Sequence, residues 1–147
     1  MPLSRMRALI SLMFLALACT SPSEPGSFTA RFELSDINGR SLPTYPIATP
    51  GLTPTILSST IVFDQSGVAK ITEHRTESDG TNATYVTNYT YHFAGNELTF
   101  DYLDPCPADA ICIGPPTGTL VGNRLSLRIG QFDSTVLFYN YRRTQID

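Results

Sequence analysis

The feature that most constrains the fold is a regular alternation of apolar and polar side chains in short segments rich in Thr, Tyr, Val and Ile. It is clearest in residues 83–93, where a ring occupies nearly every second position after Tyr85. An extended strand turns successive side chains to opposite faces, whereas a helix repeats every 3.6 residues. No segment after residue 27 keeps a helical period, and the sequence therefore predicts an all-β domain.

Residues that favour tight turns separate the alternating segments. Asn38-Gly39, Gly95-Asn96 and Gly122-Asn123 each offer Gly or Asn, which tolerate a positive φ angle. Residues 93–100 and 120–127 align as a strand, a Gly-Asn turn and a second strand. We interpret this likeness as repeated hairpin chemistry and not as a duplicated site, because the shared residues are those that a turn and an inward face require.

The alternation predicts seven clear strands and a doubtful eighth. In the strand over residues 55–64, Leu57, Ile61 and Phe63 are expected on one face. The doubtful strand lies near Tyr45, where four prolines at positions 43, 46, 50 and 54 would interrupt a ladder of hydrogen bonds. The clear strands are assigned to residues 28–35, 55–64, 68–77 (mostly polar, with Ala69 and Ile71), 83–93, 97–103 and 134–143, with the hairpin around Gly122 counted as one.

About eight sequential strands with short turns and one apolar face can close on themselves. Closure removes exposed strand edges and encloses an interior wide enough for side chains or one small ligand. We therefore expect an antiparallel up-and-down β-barrel. The alternative with the same strand count is a sandwich of two sheets.

The first residues follow the layout of a signal peptide. Arg5 and Arg7 precede an uncharged run that ends in Leu15-Ala16-Leu17-Ala18-Cys19, and this run is shorter than the roughly 20 residues that span a bilayer. The five residues resemble the lipobox of a bacterial lipoprotein precursor. The resemblance implies removal of residues 1–18 and a lipid on Cys19.

The same resemblance implies where the protein resides. A lipidated Cys19 would attach it to a membrane of the cell envelope, and Thr20 in place of an aspartate implies the outer membrane, on its periplasmic or surface face. Residues 19–27 then form the lipidated cysteine and a flexible tether without aliphatic side chains, and residues 28–147 form a single domain. The alternative is an ordinary secretory signal that leaves Cys19 free.

The charge balance argues against nucleic acid as a partner. The whole chain carries ten Lys and Arg against thirteen Asp and Glu, a formal charge of −3. Loss of Arg5 and Arg7 with the signal peptide makes the remainder more acidic still. An acidic domain with scattered basic residues lacks the basic patch that binds a phosphate backbone.

Cys106 and Cys112 remain as a pair if Cys19 carries lipid. In an oxidising compartment such a pair predicts a structural disulfide. This disulfide would close a short loop and stabilise the fold by about 2 kcal/mol. The rival interpretation is a metal or redox pair. It is disfavoured because the spacing is not CxxC and no histidine lies nearby in the sequence.

The search for catalytic chemistry finds little. The two histidines, His74 and His92, fall at different heights of one predicted hairpin, because His74 would lie opposite the region of Tyr85 and His92 opposite the region of Val68. The chain also lacks a GxSxG motif. We therefore predict a protein that is not an enzyme and that has no cofactor and no metal site.

Tyrosines are the remaining candidates for a site, because a tyrosine ring offers apolar area together with a hydroxyl that can orient a ligand. The alternative is that these rings only fill the barrel. Two functions follow: a binding module for a small apolar or amphipathic ligand, or a structural lipoprotein that contacts another envelope protein. The residues predicted to line the interior and meet a ligand are Phe32, Tyr89, Tyr91, Phe100, Leu127 and Tyr139.

In strand layout, residues 28–143 resemble the small lipocalin-like domains of bacterial envelope lipoproteins. Lipocalins carry Gly-x-Trp on the first strand and an arginine that packs on that tryptophan. Gly26-Ser27-Phe28 matches this pattern with Phe in place of Trp. The resemblance implies that Arg142 or Arg143 supplies the arginine.

Overall fold

The computed structural model describes residues 28–46, 54–104, 114–130 and 135–144. The predictions for Cys19, Cys106 and Cys112 concern residues outside these ranges. All regular structure in the described ranges is β. The strands are β1 (Ala30–Ile37), β2 (Arg40–Ser41), β3 (Thr55–Phe63), β4 (Val68–Thr76), β5 (Asn82–Ala94), β6 (Glu97–Tyr102), β7 (Thr117–Val121), β8 (Arg124–Gly130) and β9 (Val136–Thr144).

The strands form a closed antiparallel barrel. From β3 to β9 each strand pairs with the next one in the chain, β1 pairs with β3, and β9 returns to pair with β1. The two-residue strand β2 extends β1 as a short hairpin and leaves eight strands in the barrel. The predicted up-and-down barrel is therefore confirmed, and the two-sheet sandwich is wrong because the β1–β9 ladder joins the edges that a sandwich keeps apart.

The eighth strand does not come from the segment near Tyr45. There the described residues make only an isolated bridge, between Thr44 and Ile56. Pro43 and Pro46 flank this bridge, and a proline cannot donate a hydrogen bond to a ladder. The count of eight is completed by β7 and β8, the two arms of the hairpin at Gly122.

The inward face of β3 differs from the predicted one. Ile56 is 1% exposed whereas Leu57 is 39% exposed, although the uninterrupted alternation placed Leu57 inside with Ile61 and Phe63. A bulge between Ile56 and Ser58 shifts the register against β4. An extra residue in one strand reverses the facing of every residue beyond it, and the prediction for Leu57 was therefore wrong.

The turns follow the predicted chemistry. Asn38 and Gly39 both have positive φ angles, 52° and 76°, as the two-residue turn between β1 and β2 requires. Gly122 has a φ of 60° at the first position of the turn between β7 and β8. A positive φ at that position matches the right-handed twist of the flanking strands.

The hydrophobic core lies inside the barrel and continues around all eight strands. Inward side chains alternate with outward ones, as in β6, where Leu98 and Phe100 are buried between exposed neighbours. The fully or nearly fully buried apolar residues are Ala30, Phe32, Leu34, Ile37, Ile56, Ile61, Phe63, Ala69, Leu98, Phe100, Leu125, Leu127, Leu137, Tyr139 and Tyr141.

Candidate functional site

Aromatic rings fill the end of the barrel at which β1 begins. We call these six side chains the aromatic plug: Phe28, Phe32, Phe63, Tyr91, Phe93 and Phe100. The Phe63 ring lies at their centre, with its centroid 4.9–6.2 Å from the centroids of the other five. Several of these pairs meet edge to face, which is the favoured arrangement of aromatic quadrupoles. This end of the interior is therefore occupied by the protein itself.

Tyr91 belongs to this plug through its hydroxyl as well as its ring. The hydroxyl donates to the backbone carbonyl oxygens of Phe28 and Asp64, at 3.1 and 3.0 Å. It thus links the segment before β1 to the end of β3. The hydroxyl of Tyr91, which the sequence analysis assigned to ligand contact, is already bonded within the protein.

Arg143 packs on the plug from the end of the last strand. Its guanidinium carbon lies 5.6 Å from the centroid of the Phe28 ring, which is within the range of a cation–π contact. Arg142 points to the opposite, outer face of β9 and is exposed. Of the two arginines considered from the sequence, Arg143 therefore makes the contact with Phe28.

Polar and charged side chains point into the opposite end of the barrel, near the end of β4 and the start of β5. We call this region the polar end. Strand β4 supplies its charges because Glu73 and Arg75 stay in phase with the buried Ala69, and the β3–β4 ladder pairs Glu73 with the buried Ser59. The residues of the polar end are Ser59, Glu73, Arg75, Glu77, Tyr85, Tyr89, Tyr102, Tyr139 and Tyr141.

Arg75 is the centre of the charged cluster. Its Nε lies 3.0 Å from Oε1 of Glu77, and its Nη1 lies 3.5 Å from Oε1 of Glu73. The guanidinium stacks on the Tyr85 ring, with its carbon 3.5 Å from the ring centroid. The Tyr85 hydroxyl in turn donates to Oε1 of Glu77 at 2.8 Å. Arg75 is thus held by the charge of Glu77 and by the Tyr85 ring, while its contact with Glu73 is longer. Its buried Nε–H makes no hydrogen bond to a described residue.

Glu73 is a carboxyl group in a largely desolvated position. Its side chain is 18% exposed, and that of Arg75 is 25% exposed. Burial raises the pKa of Glu73, the Arg75 charge lowers it in part, and the Glu77 charge raises it again. Both side chains face the interior and are still reachable from solvent.

Four tyrosines surround this carboxyl group from other strands. The fully buried Tyr141 shares a hydrogen bond of 3.0 Å with Oγ of Ser59. Burial and the neighbouring Tyr102, 5.3 Å away between ring centroids, raise the pKa of Tyr89 to about 12. Burial raises the pKa of Tyr139 as well, and the charge of Glu73 adds to this effect. Glu73 and Tyr139 therefore face a common interior although β4 and β9 are not neighbours.

The six residues predicted to line a ligand site all belong to the hydrophobic core or pack against it, and the rings of Tyr89 and Phe100 lie 5.5 Å apart. Phe32, Tyr91 and Phe100 belong to the aromatic plug, and Leu127 is fully buried in the core. Tyr89 and Tyr139 are the two that reach the polar end. Glu73 and Arg75 were missed, although their even spacing from Ala69 and Ile71 places them on the inward face.

The histidines lie apart from this site. His74 and His92 both point outward and are exposed, and Nδ1 of His74 is 2.8 Å from Oγ1 of Thr84. The ladder pairs His74 with Thr84 and Val68 with Thr90, close to the predicted register. Within the described residues, no three His, Cys, Asp or Glu side chains come together as a metal site.

A groove of about 420 Å³ crosses the outer surface of the barrel over β7, β8, β9 and β1. Asp36 and Asn140 lie at its floor, where Nδ2 of Asn140 donates to Oδ1 of Asp36 at 2.7 Å. Burial alone would raise the pKa of Asp36, but hydrogen bonds from Asn140 and Ser35 and the charge of Arg142 lower it.

In comparison with known proteins, the chain matches no family model, no curated protein and no solved structure. In the part of the chain that the structure describes, no helix is long and apolar enough to cross a membrane. The evidence for function is therefore the sequence and the geometry of the chain itself.

Proposed function

We propose that this protein is a non-enzymatic binding module for a small apolar or amphipathic molecule, held at the cell envelope by a lipid on Cys19. One observation carries the binding proposal: the two ends of the barrel interior differ. The aromatic plug fills one end, whereas at the other end Glu73, Arg75 and Tyr89 point inward and are only partly buried. A ligand would enter at the polar end.

The side chains of the polar end suit an amphipathic ligand. Tyr89, Tyr102 and Tyr139 offer ring faces for an apolar group, and Ile129 and Leu137, paired across β8 and β9, extend this apolar wall. The charged cluster offers a partner for a polar head. Apolar walls with a few convergent polar groups are typical of small-molecule sites, and an eight-stranded barrel has room for one such ligand.

The membrane attachment rests on the lipobox sequence. Replacement of Cys19 by Ser should stop lipidation and release the protein from the detergent phase on partitioning. A replacement that still partitions into detergent would contradict the anchor. Fractionation of the membranes would then separate the outer membrane, which we propose, from the inner membrane.

A relationship to lipocalin-like domains is part of the proposal. The closed eight-stranded meander and the packing of Arg143 on Phe28 support it. The absence of tryptophan is compatible with this relationship, because the Phe28 ring makes the contact with arginine.

The alternative function is a structural lipoprotein that contacts another envelope protein. The aromatic plug favours it, because these six rings fill one end of the interior without a ligand. The groove around Asn140 offers an outer surface for such a contact.

Native mass spectrometry of the mature chain with Cys19→Ser, purified from an envelope extract, tests the binding proposal. We expect an added mass of lipid size that is lost in Tyr89→Ala. Phe138→Ala is the matched control, because Phe138 is an exposed ring on the outer face of β9. If no mass adds, and if added amphiphiles leave the thermal stability unchanged, the binding module is refuted and the interaction protein takes its place.

A further inference from the structure

The charges of the polar end define the head group that it would bind. We propose that the ligand is a cationic amphiphile, a protonated amine on an apolar group, and that its ammonium pairs with the Glu73 carboxylate. This inference rests on the proposed function, because it specifies the ligand chemistry of the same site.

The first argument is the balance of charge. Three charged side chains of the described residues meet at the polar end: Glu73, Glu77 and Arg75. Two carboxylates against one guanidinium leave a net charge of −1 when all are ionised. The other basic or titratable side chains of β4, Lys70 and His74, point outward and are exposed.

The other strands that face Glu73 bring no described cation to compensate. Uncharged residues face it from β3, β5, β6 and β9. Among them, Tyr89, Tyr139 and Tyr141 have pKa values that burial raises, which keeps these three neutral at physiological pH. These facing residues are Ser59, Tyr85, Thr87, Tyr89, Tyr102, Tyr139 and Tyr141.

The second argument is that Arg75 is already engaged. Its guanidinium forms an ion pair with Glu77, with Nε 3.0 Å from Oε1, and lies over the Tyr85 ring, although the buried Nε–H makes no hydrogen bond to a described residue. The remaining contact with Glu73, at 3.5 Å, is longer than a charge-assisted hydrogen bond of about 2.7–2.9 Å. The Glu73 side chain is 18% exposed and makes, among the described residues, only this long contact with Arg75, and its carboxylate therefore keeps acceptor capacity for a ligand.

A desolvated carboxylate in this state is costly unless it takes up a proton or gains a cation. A ligand ammonium would supply the missing charge, and the faces of Tyr89 and Tyr139 would attract the same cation. An anionic amphiphile would instead bring a third carboxylate close to Glu73 and Glu77, which like-charge repulsion disfavours. The apolar group would lie against Ile129 and the neighbouring rings.

The test uses three probes with the same ten-carbon chain and different heads: decylamine, decanol and decanoate. Each is titrated calorimetrically into the mature chain carrying Cys19→Ser at pH 7. We expect decylamine to bind about tenfold more tightly than decanol, which corresponds to about 1.4 kcal/mol. Decanoate should bind most weakly.

Two measurements tie the preference to Glu73. In Glu73→Gln the affinity for decylamine should fall about tenfold toward that of decanol, which itself should not change. Glu97→Gln is the matched control, because Glu97 lies exposed on the outer face near the plug. If Glu73→Gln does not fold, a pH titration of the protein with Glu73 intact provides the test. Lowering the pH protonates Glu73 and should weaken decylamine binding without affecting decanol binding.

The outcomes separate this inference from the proposed function. Equal binding of the three probes, or a preference for decanoate, would overturn the cationic ligand and leave the binding module intact. Decylamine binding that Glu73→Gln does not weaken, or that is independent of pH, would also overturn it. If none of the probes binds to the folded protein, the proposed function fails as well.

Discussion

A glycine in the wall of the barrel offers the sharpest test of how the interior is packed. Gly118 on β7 faces inward and is paired with Leu127 of β8 and Leu98 of β6. A Cβ atom added at Gly118 would lie 2.6 Å from Cδ2 of Leu127 and 2.9 Å from the carbonyl oxygen of Ser126. Both distances are well inside the roughly 3.5–4.0 Å at which carbon atoms pack.

Neither neighbour can easily move away. Leu127 is fully buried, and Ser126 belongs to the β7–β8 ladder. Overpacking of this kind costs about 1–3 kcal/mol, and the reduced entropy of the unfolded chain offsets about 0.4–1 kcal/mol. We expect Gly118→Ala to lower the free energy of unfolding by about 1–2 kcal/mol, and Tm by roughly 3–12 °C for a domain of this size.

Gly130 provides the control for the same substitution. A Cβ atom at Gly130 would meet nothing within 4 Å, and its φ angle is not positive. Gly130→Ala should therefore leave stability unchanged or raise it slightly. Thermal and urea unfolding followed by circular dichroism measure both variants.

A second variant assigns the cost to the contact with Leu127. The methyl group introduced by Gly118→Ala would clash with the Leu127 side chain, and Leu127→Val removes one carbon from that side chain. Leu127→Val should therefore lower the free energy of unfolding less in the Gly118→Ala protein than in the parent protein. If Gly118→Ala is as stable as Gly130→Ala, the inward packing of β7 against β8 is refuted.

Three further predictions concern the tyrosines and the cysteines. Tyr141→Phe should lower the free energy of unfolding in urea by about 1–3 kcal/mol, because it leaves the buried Ser59 hydroxyl without its partner. Adding Ser59→Ala to this variant should recover part of the lost stability. No recovery would contradict the hydrogen bond. The pKa of Tyr89 is about 12 when folded and about 10 when unfolded, and the folded state therefore retains its proton as pH rises above 10. The free energy of unfolding should therefore fall between about pH 10 and 12, and it should fall less in Tyr89→Phe. Equal pH profiles of stability for the two proteins would refute the raised pKa. Mass spectrometry of the non-reduced protein should show Cys106 linked to Cys112, and two free thiols would disprove the disulfide.

Local chemistry explains why the turns were predictable. Asn38 and Gly39 were assigned to a turn from their tolerance of positive φ, and both have positive φ angles. A two-residue turn depends on the residues within it and on the twist of its own strands. No information from distant parts of the chain is needed.

The inward face of a strand was predictable only while its alternation continued. In β5 the alternating rings keep their phase from Tyr85 to Phe93. In β3 a bulge brings Ile56 inside and leaves Leu57 exposed. A bulge accommodates the curvature of the closed sheet, and the sequence of β3 alone carries no signal for that curvature.

The charged cluster shows the limit of hydrophobic patterning. Glu73 and Arg75 lie at the positions that the alternation of β4 turns inward, yet their charge is typical of an outward face. Inside the barrel they are tolerated because they pair with each other and with Glu77, and because solvent still reaches them. The sequence indicates which residues of β4 point inward, whereas it does not indicate which partners neutralise the charges of Glu73 and Arg75.

The sequence by itself determined the all-β class, the order of the strands and the chemistry of the turns, because each depends on residues within one or two neighbouring strands. The strand count predicted a barrel, and the pairing of β9 with β1 closed it. The tertiary structure decided which inward side chains meet. Tyr141 reaches Ser59 across 82 residues of sequence, and Arg143 reaches Phe28, only because β9 closes on β1. Contacts across a closed barrel depend on the stagger and tilt of all its strands at once, and for that reason the two unlike ends of the interior emerged only from the fold.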